Sequence, residues 1–340
     1  MRVGSGKFTY ELAEGWGRLP TGWSLGEVAA VAVDSRDRVY VFNRSAHPII
    51  VFDREGNFLT SWGEGLFTTP HGIYIGPDDS VYCADASDHT VRKLTPDGKL
   101  LMTLGQKDHP SDTGYDGQNL ASIKRGAGPF NRPTNIALSP SGEIYVSDGY
   151  GNARVHKFSP DGKLLKSWGE PGTGPGQFNL PHGICVDKRG VVYAGDRQND
   201  RIQVFSPEGE FVTQWTEVIR PNDLWLDAEE NLFVAGLGLP PTPVGKATLS
   251  HVSSYSLDGK LLARLGGEEV DTSTEAGQGL VAQAGGGLSW LTGRGIFYAA
   301  HAVRADSRGD LYVGEVTISA FRGTAPPGAH VFQKFIRVST

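Results

Sequence analysis

Apolar and polar positions alternate along this chain in short runs, each broken by Gly, Pro or an acidic turn, and no stretch of useful length carries helical periodicity. Alternation over four to six residues reads as half-buried strand. One unit shows the pattern in full: GICVD at 183–187, VVYAGD at 191–196, RIQVFS at 201–206 and EFVTQW at 210–215. The turn joining the last two strands recurs as DREGNFL (53–59), TPDGKLL (95–101), SPDGKLL (159–165), SPEGEF (206–211) and SLDGKLL (256–262). A D/E-G pair flanked by alternating apolar residues is a strong hairpin signal. Upstream of each turn word, a strand carries an aromatic in a fixed register: Tyr40, Tyr82, Tyr145, Tyr193, Phe233 and Tyr312. Four of the six are followed at the third residue by a carboxylate: Asp85, Asp148, Asp196 and Glu315.

Four short strands in a period of ~40–45 residues predict propeller blades rather than a solenoid or a doubly wound sheet. The predicted fold is all-β, a six-bladed β-propeller spanning 1–340 with no separate domain. Its blades are expected at about 24–65, 66–105, 129–170, 177–217, 218–266 and 299–338, with insertions at 106–128, 237–249 and 266–298. The sixth unit offers only three strands, HAVRAD, LYVGEV and HVFQKFIRV. The N-terminal strand FTYELAEGWG at 8–17 is expected to complete it, closing the ring and removing an open edge.

Composition narrows the picture without changing it. Gly and Pro together number 66 (46 and 20) among 340 residues, turn-rich but below the level of a disordered chain. The net charge of −6 with no basic run argues against nucleic acid or an anionic membrane as partner. The first residues carry no apolar signal-peptide core, and the two cysteines, Cys83 and Cys185, make no disulfide framework, so a cytoplasmic location is expected.

The chemistry lies in one register. Eleven residues before each aromatic stand Ala29, His71, Thr134, His182, Asn222 and His301. In a propeller the innermost strands line the central channel, and alternate blades of six are related by about 120°. Histidines in blades two, four and six, within TPHGI, LPHGI and AAHAV, therefore converge on one point. A single histidine in a repeat is ordinarily a satisfied turn residue, but a repeat-consensus histidine would not skip every odd blade. Three imidazoles with an open fourth position are the usual ligand set of a catalytic zinc, although imidazole also suits other divalent transition metals. The other six histidines share no register and read as surface or packing residues. A second register, four residues past each aromatic, holds Arg44 (VFNRS) and Arg197 (AGDRQ), and Tyr150 directly follows its blade-three member in SDGYGNAR. Alone, each reads as a solvated or packing residue. Beside a metal, guanidinium groups suit a substrate carboxylate and a phenol can act as a base.

These words are similar to a known family. The repeats resemble NHL repeats, and the site words resemble those of peptidyl-α-hydroxyglycine α-amidating lyase, over roughly residues 24 to 338. The resemblance implies that His71, His182 and His301 bind catalytic zinc, that Tyr150 and the two arginines Arg44 and Arg197 (the latter in DRQNDRIQVF) are catalytic, and that the arginines bind substrate. It implies a metal-dependent carbon–nitrogen lyase that cleaves an N-substituted α-hydroxyglycine to an amide or amine and glyoxylate. The family places an aspartate for a structural calcium directly after the third histidine; Ala302 stands there, so that calcium is not expected. Gly151 follows Tyr150, so the disulfides of the secreted animal enzymes have no counterpart. The hydroxylating domain that makes the substrate is not in this chain, and a separate hydroxylating enzyme is expected to supply a peptide-like or small carboxylate substrate. Two alternatives stay open: a metal-dependent lactone hydrolase, using Asn222, Asn135 and Asp223, and an NHL scaffold without catalysis.

Overall fold

The computed structural model describes residues 1–238, 246–271, 273–274, 297–320 and 329–338. It is a nearly all-β ring of six blades, as the repeats predict. Blade 1 consists of Val28–Val33, Val39–Asn43, Ile49–Phe52 and Phe58–Trp62, ordered from inner to outer strand. Blades 2, 3 and 4 repeat this plan over residues 70–105, 133–168 and 181–215, and blade 5 over 221–266. Inner strands touch their neighbours all round the ring, the sixth meeting the first. The six register aromatics are all buried between blades. The expected insertions at 237–249 and 266–298 lie partly outside the described residues; within them, Lys246–Thr248 pairs with Glu269–Asp271 as a small separate ribbon.

Blade 6 closes the ring. Its strands Ala300–Ala305, Leu311–Glu315 and Phe332–Arg337 are joined by Phe8–Leu12, through the pairs Tyr10↔Arg337, Glu11↔Ile336 and Leu12↔Phe335. The closing strand stops at Leu12 instead of reaching residue 17. Residues 13–17 leave the sheet so that Trp16 can pack between blades 6 and 1, with ring centroids 5.2–5.4 Å from Phe52, Tyr312 and Phe332. An unexpected fifth strand, Arg2–Ser5, pairs outside Phe8–Leu12 across a two-residue turn at Gly6–Lys7. Gly6 has a φ of 54°, which glycine adopts freely.

The carboxylates three residues past the aromatics are clamps. Asp85 accepts the backbone N–H groups of Thr68 and Thr69, and Asp148 accepts that of Asn131. Asp196 accepts the N–H of Asn179, and Glu315 those of Tyr298 and Ala299. All four are buried, and each fixes the loop entering its own inner strand. In blade 1 the equivalent residue is Asn43, whose Oδ1 accepts the N–H of Gly26.

Candidate metal centre

Each inner strand carries a β-bulge at the register of interest. The ladder shifts between Val28 and Ala30, Pro70 and Gly72, Pro133 and Asn135, Pro181 and Ile184, Pro221 and Asp223, and Ala300 and Ala302. The residues released from pairing include Ala29, His71, Thr134, His182, Asn222 and His301, the set the spacing selects. A bulge bends its strand and re-aims a side chain, here into the channel. Proline opens four of these strands, where no N–H is needed on the channel edge. Glycine follows His71 and His182 because the next blade is close: a Cβ on Gly72 would stand 2.6 Å from the Thr134 carbonyl oxygen, and one on Gly183 2.8 Å from that of Asn222.

The three imidazoles meet. His71, His182 and His301 are buried, their ring centroids 4.8–5.0 Å apart, and one ligand nitrogen from each lies within 4.8 Å of the others. The intervening blades orient them. His71 Nδ1 donates to the Thr134 carbonyl at 2.6 Å, His182 Nδ1 to the Asn222 carbonyl at 2.6 Å, and His301 Nδ1 to the Ala29 carbonyl at 2.7 Å. The odd-blade members of the register thus supply the acceptors. With Nδ1 committed to a carbonyl, the Nε2 lone pair is the one presented inward, the usual outer-shell arrangement for a metal-binding histidine. Burial, then the neighbouring His301 and Arg44, holds the His71 pKa well below its usual value. Burial, then Arg197 and the other two imidazoles, does the same for His182. Burial, then Arg44, pushes His301 down to about 3. Neutral imidazoles are the form that ligates, so the donor set fits a divalent transition metal with an open position.

Tyr150 stands at this point. Its Oη lies 3.0 Å from His182 Nε2 and 3.4 Å from His71 Nε2. Ligand atoms of a tetrahedral zinc are about 3.3 Å apart, so the phenol borders the open position. Arg197 Nη1 donates to Tyr150 Oη at 3.2 Å and to Asn222 Oδ1 at 3.3 Å, with the guanidinium carbon 5.4 Å from the phenol ring centroid. Arg44 approaches from blade 1: its Nε donates to the carbonyl of Pro70 at 3.2 Å, and its Nη1 to Glu27 Oε2 at 2.8 Å and Ser319 Oγ at 3.0 Å. The arrangement thus gathers all six residues singled out in the sequence. Two more stand outside the two registers described above, in a third one two residues ahead of the histidines. Glu27 neutralises Arg44, and Arg220, just ahead of the blade-5 inner strand, lies beside Arg197. The sequence signal is a spacing: the residue thirteen positions before the aromatic is Glu27, Arg132 and Arg220 in the odd blades and uncharged in the even ones.

Further along the channel, Asp223 accepts from Asn135 Nδ2 (2.7 Å), Arg304 Nη1 (2.5 Å) and the Val303 and Leu224 N–H groups (both 3.0 Å). Its carboxylate is thereby fully engaged. The oxygens of the other two residues of the lactonase alternative are also engaged, Asn222 Oδ1 with Arg197 and Asn135 Oδ1 with the Ile136 N–H. Ala302 is buried among apolar residues that include Ile73 and Cys83. Of the remaining histidines, His156 is buried between Asp148 and Ser167 as a packing residue of blade 3.

The fold and the centre together define a propeller with an imidazole-lined axial site. The NHL repeat family matches residues 130–158 and 178–205. The chain belongs to the NHL repeat-containing proteins: human NHL repeat-containing protein 3 is 33% identical over 294 residues, covering 79% of this chain and 80% of that protein. It is also similar to peptidyl-alpha-hydroxyglycine alpha-amidating lyase 1 of Drosophila melanogaster, 31% identical over 230 residues. That match covers 56% of this chain and 40% of the fly protein. Among solved structures, a gluconolactonase from Xanthomonas campestris superposes with a TM-score of 0.54 at 13% identity, over 92% of this chain and 86% of that one, a likeness of fold alone.

Proposed function

We propose that this protein is a metal-dependent lyase that splits the C–N bond of an N-substituted α-hydroxyglycine, releasing an amide or amine and glyoxylate. The convergence of three neutral imidazoles on a site bordered by one phenol carries this reading. His71, His182 and His301 would hold the ion, zinc by the preference of the donor set. When bound, such an ion lowers the pKa of a hydroxyl it contacts. The reaction is a proton shuttle coupled to one bond cleavage. Tyr150, as phenolate, accepts the proton of the substrate hydroxyl on Oη. As the C–O bond becomes a carbonyl, the C–N electron pair leaves with nitrogen, which takes the proton back from Tyr150. R-CO-NH-CH(OH)-COO⁻ thus becomes R-CO-NH₂ and OHC-COO⁻, with no water consumed. Arg197 fixes the phenol oxygen through its hydrogen bond and faces the substrate carboxylate. Arg44, its charge offset by Glu27, steadies charge that develops during the step.

The deciding experiment incubates the protein with N-acyl- and N-aryl-α-hydroxyglycines and follows glyoxylate, with and without a chelator. Metal-dependent release of one glyoxylate per amide or amine supports the lyase. No release at any metal loading, with a sub-stoichiometric metal content, leaves a propeller scaffold.

A further inference from the structure

Charge is unevenly compensated around the centre. Arg44 has Glu27 as a salt-bridge partner at 2.8 Å. Among the described residues Arg197, only 9% exposed, has no carboxylate partner; its Nη1 is shared between the Tyr150 and Asn222 oxygens, and its buried Nε has no hydrogen-bond partner. Among the described residues Arg220 Nη2 reaches only the neutral Gln198 Oε1, at 2.9 Å, and its Nε too is buried and unpartnered. Asp200, the acid that bears on this guanidinium, spends Oδ1 on the Arg220 backbone N–H at 2.9 Å, where that residue has a φ of 39°, strained for a non-glycine residue. Burial and then repulsion from Arg197 push the Arg220 pKa down. Guanidinium groups nevertheless stay charged in proteins, so two cations remain side by side next to Tyr150, each with an idle buried N–H. Unsatisfied buried donors of this kind are costly unless a ligand meets them.

We infer that Arg197 and Arg220 together form an anion subsite for the substrate carboxylate, with Arg220 as a specificity-determining residue. Its use in catalysis rests on the lyase reading; the anion recognition does not. A carboxylate held there lies beside the Tyr150 oxygen, so the carbon attached to it, which bears the hydroxyl, is delivered toward the imidazoles.

The test compares binding of hippurate (N-benzoylglycine) and its uncharged amide, hippuramide, by calorimetry to the metal-loaded protein. Neither carries the hydroxyl, so neither turns over. The wild type is expected to prefer hippurate, and Arg220→Met to lose about tenfold to a hundredfold of that preference, the scale of one or two charge-assisted hydrogen bonds. Arg220→Lys should regain part of it, and hippuramide affinity should not move. An absent preference in the wild type, an unchanged preference in Arg220→Met, or equal losses for both ligands would overturn the subsite. If the preference depends on Arg220 but no glyoxylate is released from N-benzoyl-α-hydroxyglycine, the subsite stands and the lyase reading fails. If turnover is observed, Arg220→Met should raise KM far more than it lowers kcat.

Discussion

A single oxygen, Tyr150 Oη, joins two imidazoles to a guanidinium, and the phenyl ring beneath it contributes only packing. Tyr150→Phe therefore removes the proton acceptor while leaving the ligands in place. Turnover should fall by about 10²–10⁴-fold with metal content unchanged, as measured by glyoxylate release and elemental analysis of the same sample. His182→Ala should do the opposite in order of cause: bound metal falls far below one per chain, and activity goes with it. Retained metal in that variant would refute the three-imidazole centre. At this scale the sequence was informative wherever a role requires a particular side chain in a repeated register, as for His71, His182 and His301. It was silent where the role belongs to a backbone carbonyl, as at Ala29 and Thr134, because every residue has one. Glu27 and Arg220 share a register thirteen residues before the aromatic, but its charged members, with Arg132 the third, differ in sign, so their tasks are identified only by what surrounds them.

The inner strands turn a repeat into a ligand sphere through two devices, the bulge that frees one residue from the ladder and the acid that pins the loop ahead of it. Asp85 takes more backbone N–H groups than the other three acids, those of Thr68, Thr69, Ser87 and Asp88. Asp85→Ala leaves these donors without their acceptor, at about 1–3 kcal/mol for each one that stays dry. A loss of about 3 kcal/mol or more in urea denaturation is expected, together with weaker metal retention because His71 follows two residues after the clamped loop. Stability loss with unaltered metal affinity would show that the clamp acts on the fold alone. The acids stood out in the sequence as a recurring position, but their partners lie 16–17 residues upstream in loops of differing composition, so their task became visible only in three dimensions. The Arg2–Ser5 strand was illegible for a related reason: it lies outside the repeat, and its pairing depends on Phe8–Leu12 already being docked.

Across the whole ring, closure and the centre depend on each other. Removing residues 1–12 strips the partner from Phe332–Arg337 and uncovers the apolar surface against which Phe8 and Tyr10 are buried. The truncated chain should melt at lower temperature and self-associate on size-exclusion chromatography, since an unpaired strand edge templates association. Acid should act on the same assembly. The unfolded chain's histidines bind protons below about pH 6.5, whereas the folded, metal-stripped centre stays neutral far lower, His301 to about 3. The unfolded state therefore holds more protons in that window. Stability is flat above the window and declines as pH drops through it, by up to about 1.4 kcal/mol per pH unit for each imidazole. Urea titrations of the stripped protein at pH 7.5 and pH 5 measure the difference; equal stabilities would contradict a neutral, buried trio.

The blade that carries His301 joins two segments far apart in sequence, so its sheet is complete only when Phe332–Arg337 has been translated and met by Phe8–Leu12. A nascent chain whose Phe332–Arg337 segment is still in the exit tunnel presents two of the three imidazoles in finished blades. Convergence of all three imidazoles is thereby deferred until that strand has emerged and paired.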